Sequence, residues 1–504
     1  MLKEKKIQKT GRHRLRTSYF VLRTSYFVLC TSCIAYCLLT LNSCKGFLDK
    51  QPLGILDANA FFSNATDAVQ AVNAAYSQLT FASSNNNYYW VFGVVASDEA
   101  IAGGDGSRPG IVDLDAMQQT PRTTELNNFW ALNYDGINQC NVVLDRINSA
   151  PIDTALRNRI RGEALFLRSY YHFILAQTFG DIPSITSVLS PDQLRVPRTP
   201  VADVFKQIAT DCDAAATLLP TTYDPTNIGR ATKGAALALA AKAELYLKDW
   251  NKTLDYVAKV KALGIYKLMK DYRDNFLDST KNNAESVWAI QHTSLQLNVG
   301  NSINQWWASK KIPNGYGFCE VTPQFVVAFE PGDPRLHYTV AQNREDYFGV
   351  IYRTSYSSTG YGARKYLQPD SQVKAKADGS INYVAIRYAE VLLWEAEAKT
   401  ELGATADALI PLEAVRARAR AQSGDTTKTV LPAITTTVQA DLRTAIHHER
   451  QVELGFEMHR FFDLVRWGQA KQYIPEFTVG KNEVFPIPQT ERDLNPMLTQ
   501  NPGY

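Results

Sequence analysis

Ala243-Glu-Leu-Tyr-Leu-Lys-Asp-Trp-Asn251, with Ala258 further on, has the same build as Ala396-Glu-Ala-Lys-Thr-Glu-Leu-Gly403, with Ala408 further on. Each segment begins as a helix carrying small residues, breaks at a short turn and opens a second helix. Short connections force neighbouring helices to run antiparallel, and small side chains let them approach closely. Recurrence of such pairs predicts a mostly α chain, a degenerate tetratricopeptide-type array lacking the strict consensus.

Working outward, apolar periodicity predicts helices over Asn127 to Asn148, Asp153 to Thr178, Thr232 to Leu247 and Lys252 to Leu263. Gly180-Asp-Ile-Pro183 stops the second of these. Another helix opens after Thr199-Pro200 and ends at Leu218-Leu-Pro220, with proline in its first turn. An earlier helix carries Ala68, Val69, Val72, Ala75, Tyr76 and Leu79 on one stripe, capped by Asn64 or Thr66. Two regions break the pattern. Ser83 to Thr124 reads as a long, functional loop. From about 265 to 380, short aromatic and β-branched runs such as Ser286-Val-Trp-Ala-Ile290 alternate with Gly, Pro and Asn, predicting a loop-rich, irregular insert with a few short strands. The expected division is a helical part over 66–264, the insert over 265–380 and a second helical part over 381–504.

The N-terminus reads as an address. Lys3, Lys5, Lys6, Lys9, Arg12, Arg14, Arg16 and Arg23 precede an apolar run from Tyr26 to Leu41, and Leu41-Asn-Ser-Cys44 closes it. This is the pattern of a bacterial lipoprotein signal over 1–43, cleaved before Cys44, which is then acylated. An ordinary membrane anchor with an incidental cysteine is the alternative. Residues 44–65 would form a lipidated tether. A tandem duplication, Arg16 to Leu22 and Arg23 to Leu29, makes this leader long. Removing 1–43 takes eight basic residues and one acidic residue from totals of 53 and 50, leaving a net charge of −4. The basic excess of the whole chain therefore belongs to the export signal, and nucleic acid is not an expected partner. Beyond Cys44 only Cys140, Cys212 and Cys319 remain, far apart, so neither a disulfide framework nor a structural zinc site is expected.

Catalytic signatures are weak. Adjacent Asp98 and Glu99 offer the two carboxylates a glycoside hydrolase needs, but neighbouring carboxylates usually point apart into caps and ion pairs. His447-His-Glu449 lacks the second histidine of a zinc helix, because Val452 stands there; Glu449, Glu453 and Glu457 instead mark a charged helix face, with Arg450 and Arg460 within pairing reach. Asp105, Asp113 and Asp115 could hold a structural calcium, but their spacing matches no EF-hand and a solvated acidic loop is the preferred reading, so no cofactor is expected. Aromatic residues make up 11% of the chain, enough to fill a core and leave some for a surface. Trp306 and Trp307, followed by Asn314-Gly-Tyr316-Gly-Phe318, sit in a polar, loop-like setting. Trp90 with Tyr88 and Tyr89 forms a second such cluster. An exposed ring flanked by amides is what a sugar requires, stacking under its C–H face while the amides take its hydroxyls. Trp306, Trp307, Tyr316, Trp90 and Tyr89 are the expected ligand contacts, against core packing as the alternative.

Several segments together resemble the SusD/RagB family of outer-membrane lipoproteins over nearly all of the chain after Cys44. They are Glu163-Ala-Leu-Phe-Leu-Arg-Ser-Tyr-Tyr-His-Phe173 with Phe179-Gly-Asp-Ile-Pro183; Val196-Pro-Arg-Thr-Pro200 with Gly229-Arg-Ala-Thr-Lys-Gly-Ala-Ala236; Ile386-Arg-Tyr-Ala-Glu-Val-Leu-Leu393; and Glu449 to Glu457 running on to Arg460-Phe-Phe-Asp-Leu-Val-Arg-Trp-Gly468, with Phe485-Pro-Ile-Pro488 near the end. The resemblance implies helix pairs supporting a ligand-facing, loop-rich region. It also implies a non-enzymatic role: a lipoprotein held through Cys44 on the exterior of the outer membrane, capturing an oligosaccharide for a SusC-like TonB-dependent transporter. Capture of a peptide or glycopeptide, a glycoside hydrolase and a purely structural scaffold are the alternatives. No ligand-contacting residue carries over by motif.

Overall fold

Helix α1 (Ala65–Ser77) starts where Asn64 accepts a hydrogen bond from the Asp67 amide at 3.0 Å, and it buries Ala68, Ala71, Val72 and Ala75. The computed structural model describes residues 62–504, except 86, 298 and 374, as one unit. Residues 1–43, Cys44 and the tether as far as residue 61 lie outside the described residues. After α1 the segment expected as a loop is partly ordered. It forms a π-helical turn over Val91–Val95, strand β1 (Ala100–Ala102) and helix α2 (Pro109–Asp115). Apolar Val91, Phe92, Val94 and Val95 are all buried, which is why this polar-flanked stretch folds inward.

Five antiparallel helices come next: α3 (Thr124–Arg146), α4 (Thr154–Phe179), α5 (Val201–Leu218), α6 (Lys233–Tyr246) and α7 (Trp250–Ala262). Each packs on its successor. Asp153 caps α4, accepting from the amides of Ala155 and Leu156, and Thr232 caps α6. Nearly every residue of α6 is buried, because its alanines let it sit between α5 and α7. At the α6–α7 turn Lys248 adopts φ +58°, and Asp249 caps α7 through the Lys252 amide at 3.1 Å.

The region after α7 is irregular. Strand β2 (Ser286–Ile290) precedes a one-turn helix, α8 (Ile303–Trp307), and then β3 (Cys319–Val321), which pairs antiparallel with β1. Two short helices, α9 (Pro323–Ala328) and α10 (Pro334–Thr339), lead into four two-residue strands: β4 (Val340–Ala341), β5 (Asp346–Tyr347), β6 (Val350–Ile351) and β7 (Gly362–Ala363). Strand β8 (Tyr383–Arg387) pairs antiparallel with β2 and runs directly into α11 (Tyr388–Glu401). The irregular stretch is thus stitched to the C-terminal helices, with no break in packing at 380. Helix α11 turns at Gly403, φ +80°, into α12 (Thr405–Gln422), then come α13 (Gln439–Glu453) and α14 (Arg460–Arg466). A core of Leu392, Leu393, Ala396, Ala408, Leu412, Val415, Leu442 and Ile446 joins α11, α12 and α13. Among the described residues no helix is long and apolar enough to cross a membrane.

A buried ion network ties these layers together. Arg335 meets Asp333 at 2.8 Å, Glu449 at 2.5 Å and Glu453 at 3.0 Å. Arg387 reaches Glu285, Glu453 at 2.8 Å and Glu457 at 2.8 Å. Arg418 joins Glu285 at 3.2 Å and also reaches Glu453, Arg416 joins Glu449 at 3.0 Å, and Lys365 joins Glu457 at 3.0 Å. Three arginines around Glu453 hold its carboxyl well below the usual carboxylate range despite burial, whereas burial pulls the Lys365 ammonium down to about 8. Spacing alone pairs the charged face of Glu449, Glu453 and Glu457 with Arg450 and Arg460. Those two arginines instead bind Asp463 and Asp98, because Glu449 to Glu457 face inward toward arginines remote in sequence.

Two buried histidines show one design. His172 donates from Nδ1 to the Arg168 carbonyl at 3.0 Å and accepts at Nε2 from the Ile185 amide at 3.3 Å. His292 donates to the Ile290 carbonyl at 3.1 Å and accepts from the Phe81 amide at 3.0 Å. A ring that must accept at one nitrogen cannot be protonated there, and burial further opposes the charge, so both titrate down at about 3. The unfolded chain binds these protons below about 6.5, the folded one only near 3. Stability from the neutral rings is therefore complete above 6.5 and lost as pH falls below it. Urea unfolding should show each ring removing about 1 kcal/mol between pH 7 and about 5.5. In the variants His172→Gln and His292→Gln that slope should flatten.

Candidate functional site

The structure buries four of the five expected contact residues. Trp90 and Trp307 are 1% exposed, Tyr89 4% and Trp306 8%. They form an aromatic core. Trp306 stacks on Trp90 at 5.8 Å and Tyr88 at 6.5 Å, while Trp307 meets Trp90, Tyr366 and Phe456 edge-on at 6.2, 6.3 and 5.6 Å. Tyr89 lies between Phe129 and Phe462, and Gln177 donates to its hydroxyl. Their reading as a surface platform is corrected. The physical reason is that both indoles of α8 pack on Trp90, Trp306 stacked with Tyr88 beside it and Trp307 edge-on with Tyr366 and Phe456, so adjacent rings both find cover. Tyr316 alone of the five remains half-buried, packing on Phe318 at 5.2 Å with the Lys376 ammonium 4.5 Å above its ring.

Other expected sites resolve into structure. Asp98 takes the Arg460 guanidinium at 2.7 and 2.9 Å, and Glu99 accepts the Phe456 amide at 3.0 Å, so the adjacent carboxylates turn to different partners. Burial raises the Glu99 carboxyl well above its usual range. Asp105 pairs with Lys310 at 2.8 Å and Asp115 accepts the Ala102 amide at 2.9 Å. Among the described residues no group of three or more His, Cys, Asp or Glu is placed to hold a metal ion. Cys140, Cys212 and Cys319 are buried free thiols.

A cleft of about 190 Å³ opens beside Tyr316, walled by the end of α8, residues 308–314, the β5–β6 hairpin and residues 367–377. Its apolar surface comes from Ile312, Pro313, Phe348 and Val350, and its polar groups are those of Asn304, Gln305, Asn314, Gln368, Asp370 and Lys376. The hairpin positions the aromatic ring. Its two-residue turn, Phe348-Gly349, has φ +55° and +90°. Turns of this hand normally take Asn-Gly or Gly-Gly, and a phenylalanine there carries backbone strain. The turn places a partly exposed ring at the cleft, with Arg364 5.7 Å from its centre. Asn314, itself at φ +63°, donates from Nδ2 to both Asp370 oxygens at 3.0 and 3.1 Å. Sequence reasoning passes over Phe348. The available signal is an aromatic-glycine pair between β-branched and aromatic residues, which departs from the usual turn chemistry.

A helix-pair scaffold carrying a loop-built cleft defines a class of binding protein. The chain belongs to the SusD/RagB family. The model for the "SusD family" matches residues 284–483, and one described as "Starch-binding associating with outer membrane" matches 55–247. SusD-like protein P25 of Formosa agariphila is 24% identical, the match covering 92% of this chain and 97% of that one. A SusD-like carbohydrate binding protein from Bacteroides fragilis superposes with a TM-score of 0.78 at 25% identity, over 87% of this chain and all of that one. A laminarin binding SusD-like protein gives 0.76 at 28% identity, over 88% of this chain and all of its own.

Proposed function

We propose that this protein is a surface glycan-binding lipoprotein that captures oligosaccharides and delivers them to a SusC-like TonB-dependent transporter. One observation carries the binding role: a single cleft combines an aromatic ring, aliphatic faces and four side-chain amides. A pyranose has the complementary surface, an apolar face ringed by hydroxyls. At about 190 Å³ the cleft is smaller than the roughly 300–1,000 Å³ of drug-sized sites, which suits one or two sugar rings of a longer chain. The two structural relatives, described as carbohydrate binding and laminarin binding, support the same class of ligand. Delivery to a transporter and attachment through an acylated Cys44 on the cell exterior complete the reading. They rest on the family and on Leu41-Asn-Ser-Cys44.

Calorimetry of the purified protein against a panel of polysaccharides tests the binding role. With whichever glycan binds, Phe348→Ala should lose about 1–3 kcal/mol of affinity, the range for stacking on an aromatic platform. Phe348 is partly exposed, so unfolding midpoints should stay near those of the parent. Undiminished affinity in this variant would remove the hairpin from the site.

A further inference from the structure

We infer that the cleft is built for an anionic oligosaccharide, one whose sugars carry carboxylate or sulfate groups. This rests on the glycan-binding reading above and narrows it. The preference comes from which hydrogen-bonding groups in the cleft are already used. Three of its side-chain acceptors are occupied. Asn304 Oδ1 accepts the Gln368 backbone N–H at 2.7 Å, Gln368 Oε1 accepts the Ser380 backbone N–H at 2.8 Å and the Ser380 hydroxyl at 3.2 Å, and both Asp370 oxygens accept from Asn314. Its donors are not. Gln305 Nε2 and Gln368 Nε2 are buried without a hydrogen-bond partner among the described residues, in side chains only 4% and 6% exposed. The Ser380 bonds fix the Gln368 amide the right way round, so the free atom is the NH2 group and not the carbonyl oxygen. Lys376 adds an ammonium that rests on the Tyr316 ring and forms no ion pair among the described residues.

A buried NH2 left without an acceptor costs about 1–3 kcal/mol, so two such groups are expensive unless a ligand meets them, and the exposed Lys376 ammonium adds a positive charge to the same cleft. A neutral sugar hydroxyl both donates and accepts, and would leave part of this surface unmatched. A carboxylate or sulfate only accepts. Its bonds are charge-assisted and shorter, roughly twice as strong as neutral ones. The Asp370 carboxylate keeps its charge while Asn314 occupies both its oxygens, so the preference rests on the two buried amide donors together with the Lys376 ammonium.

Three oligosaccharides of similar length test the inference on the purified protein by calorimetry: a polygalacturonate fragment, a sulfated galactan fragment and a neutral β-glucan fragment. A charged fragment should bind at least about tenfold more tightly than the neutral one at low ionic strength, and the difference should collapse as the Debye length falls from ~30 Å to ~3 Å in about 1 M salt. Lys376→Met keeps an apolar chain on Tyr316 and should abolish the preference without loss of folding. Gln368→Glu retains the acceptor for Ser380 and replaces the free donor with a charged oxygen, so it should weaken the charged fragment selectively. Binding of only the carboxylated or only the sulfated fragment supports the inference and identifies the group. Binding of the neutral fragment at least as tightly, insensitive to salt and to Lys376→Met, overturns it while leaving the glycan reading standing. Failure of all three and of the wider panel overturns both.

Discussion

Replacing Arg387 by methionine should lower the unfolding free energy by about 3–5 kcal/mol, because it strips one partner from a buried ion network and leaves the others charged. Its side chain is fully enclosed. Nε and Nη2 form two parallel bonds to the Glu457 carboxylate, both 2.8 Å, while Nη1 serves Glu453 at 2.8 Å together with Glu285, and Nη2 also reaches the Glu453 carbonyl at 3.1 Å. The β2–β8 register sets up this meeting. Ser286 pairs with Arg387, so the preceding Glu285 and the arginine come together where both strands end. Once Arg387 is gone, Glu457 retains Lys365 at 3.0 Å and Glu285 retains Arg418 at 3.2 Å, neither sufficient for a carboxylate in this setting. Lysine at 387 should recover only part of the loss, since a point charge cannot reproduce the fork. The double variant Arg387→Met with Glu457→Gln should recover some as well, by removing the orphaned charge. Guanidinium unfolding of the set measures the effect; a loss below about 1 kcal/mol for Arg387→Met would mean that the network is solvated.

This network also marks the limit of what the sequence shows by itself. Helix pairs are legible because their signals are local: an alanine-rich run, a glycine such as Gly403 that accepts positive φ, and a cap such as Asp249. The spacing of Glu449, Glu453 and Glu457 is equally visible, but spacing states that charges share a face and not which way the face points. Their partners, Arg335, Arg387, Arg416 and Arg418, lie 33 to 118 residues away wherever the bonds are made, and no local rule connects them. The cleft is hidden for a related reason. Its wall comes from four separate segments, and Phe348 reaches it through a turn that its residue type disfavours. Of its residues only Asn314 stands out in the sequence, with Tyr316 beside the cleft, because a Gly-flanked tyrosine next to an Asn-Gly pair needs no tertiary information to look exposed.

Trp307→Ala should cost about 3–5 kcal/mol of stability, the loss expected when a large aromatic side chain is cut from a packed core. Two locations for this indole make opposite forecasts. On a surface platform, truncation would weaken ligand binding and change stability by no more than about 0.5 kcal/mol. In the core, stability falls steeply, and affinity measured well below the unfolding transition changes only as far as the cavity disturbs α8. Trp307 is enclosed by Trp90, Tyr366 and Phe456, and Trp90 is shared with Trp306. Emptying that position removes one partner from three edge-on contacts and undercuts the support of Gln305 two residues earlier, at the wall of the cleft. Trp307→Phe should lose less, about 1–3 kcal/mol, since a smaller ring leaves a smaller void. Thermal or guanidinium unfolding of both variants, paired with glycan titrations at low temperature, separates the two locations. A stable Trp307→Ala protein with lost affinity would return the indole to the ligand surface. The opposite pattern would leave Phe348, with Tyr316 beside it, as the aromatic face a sugar meets.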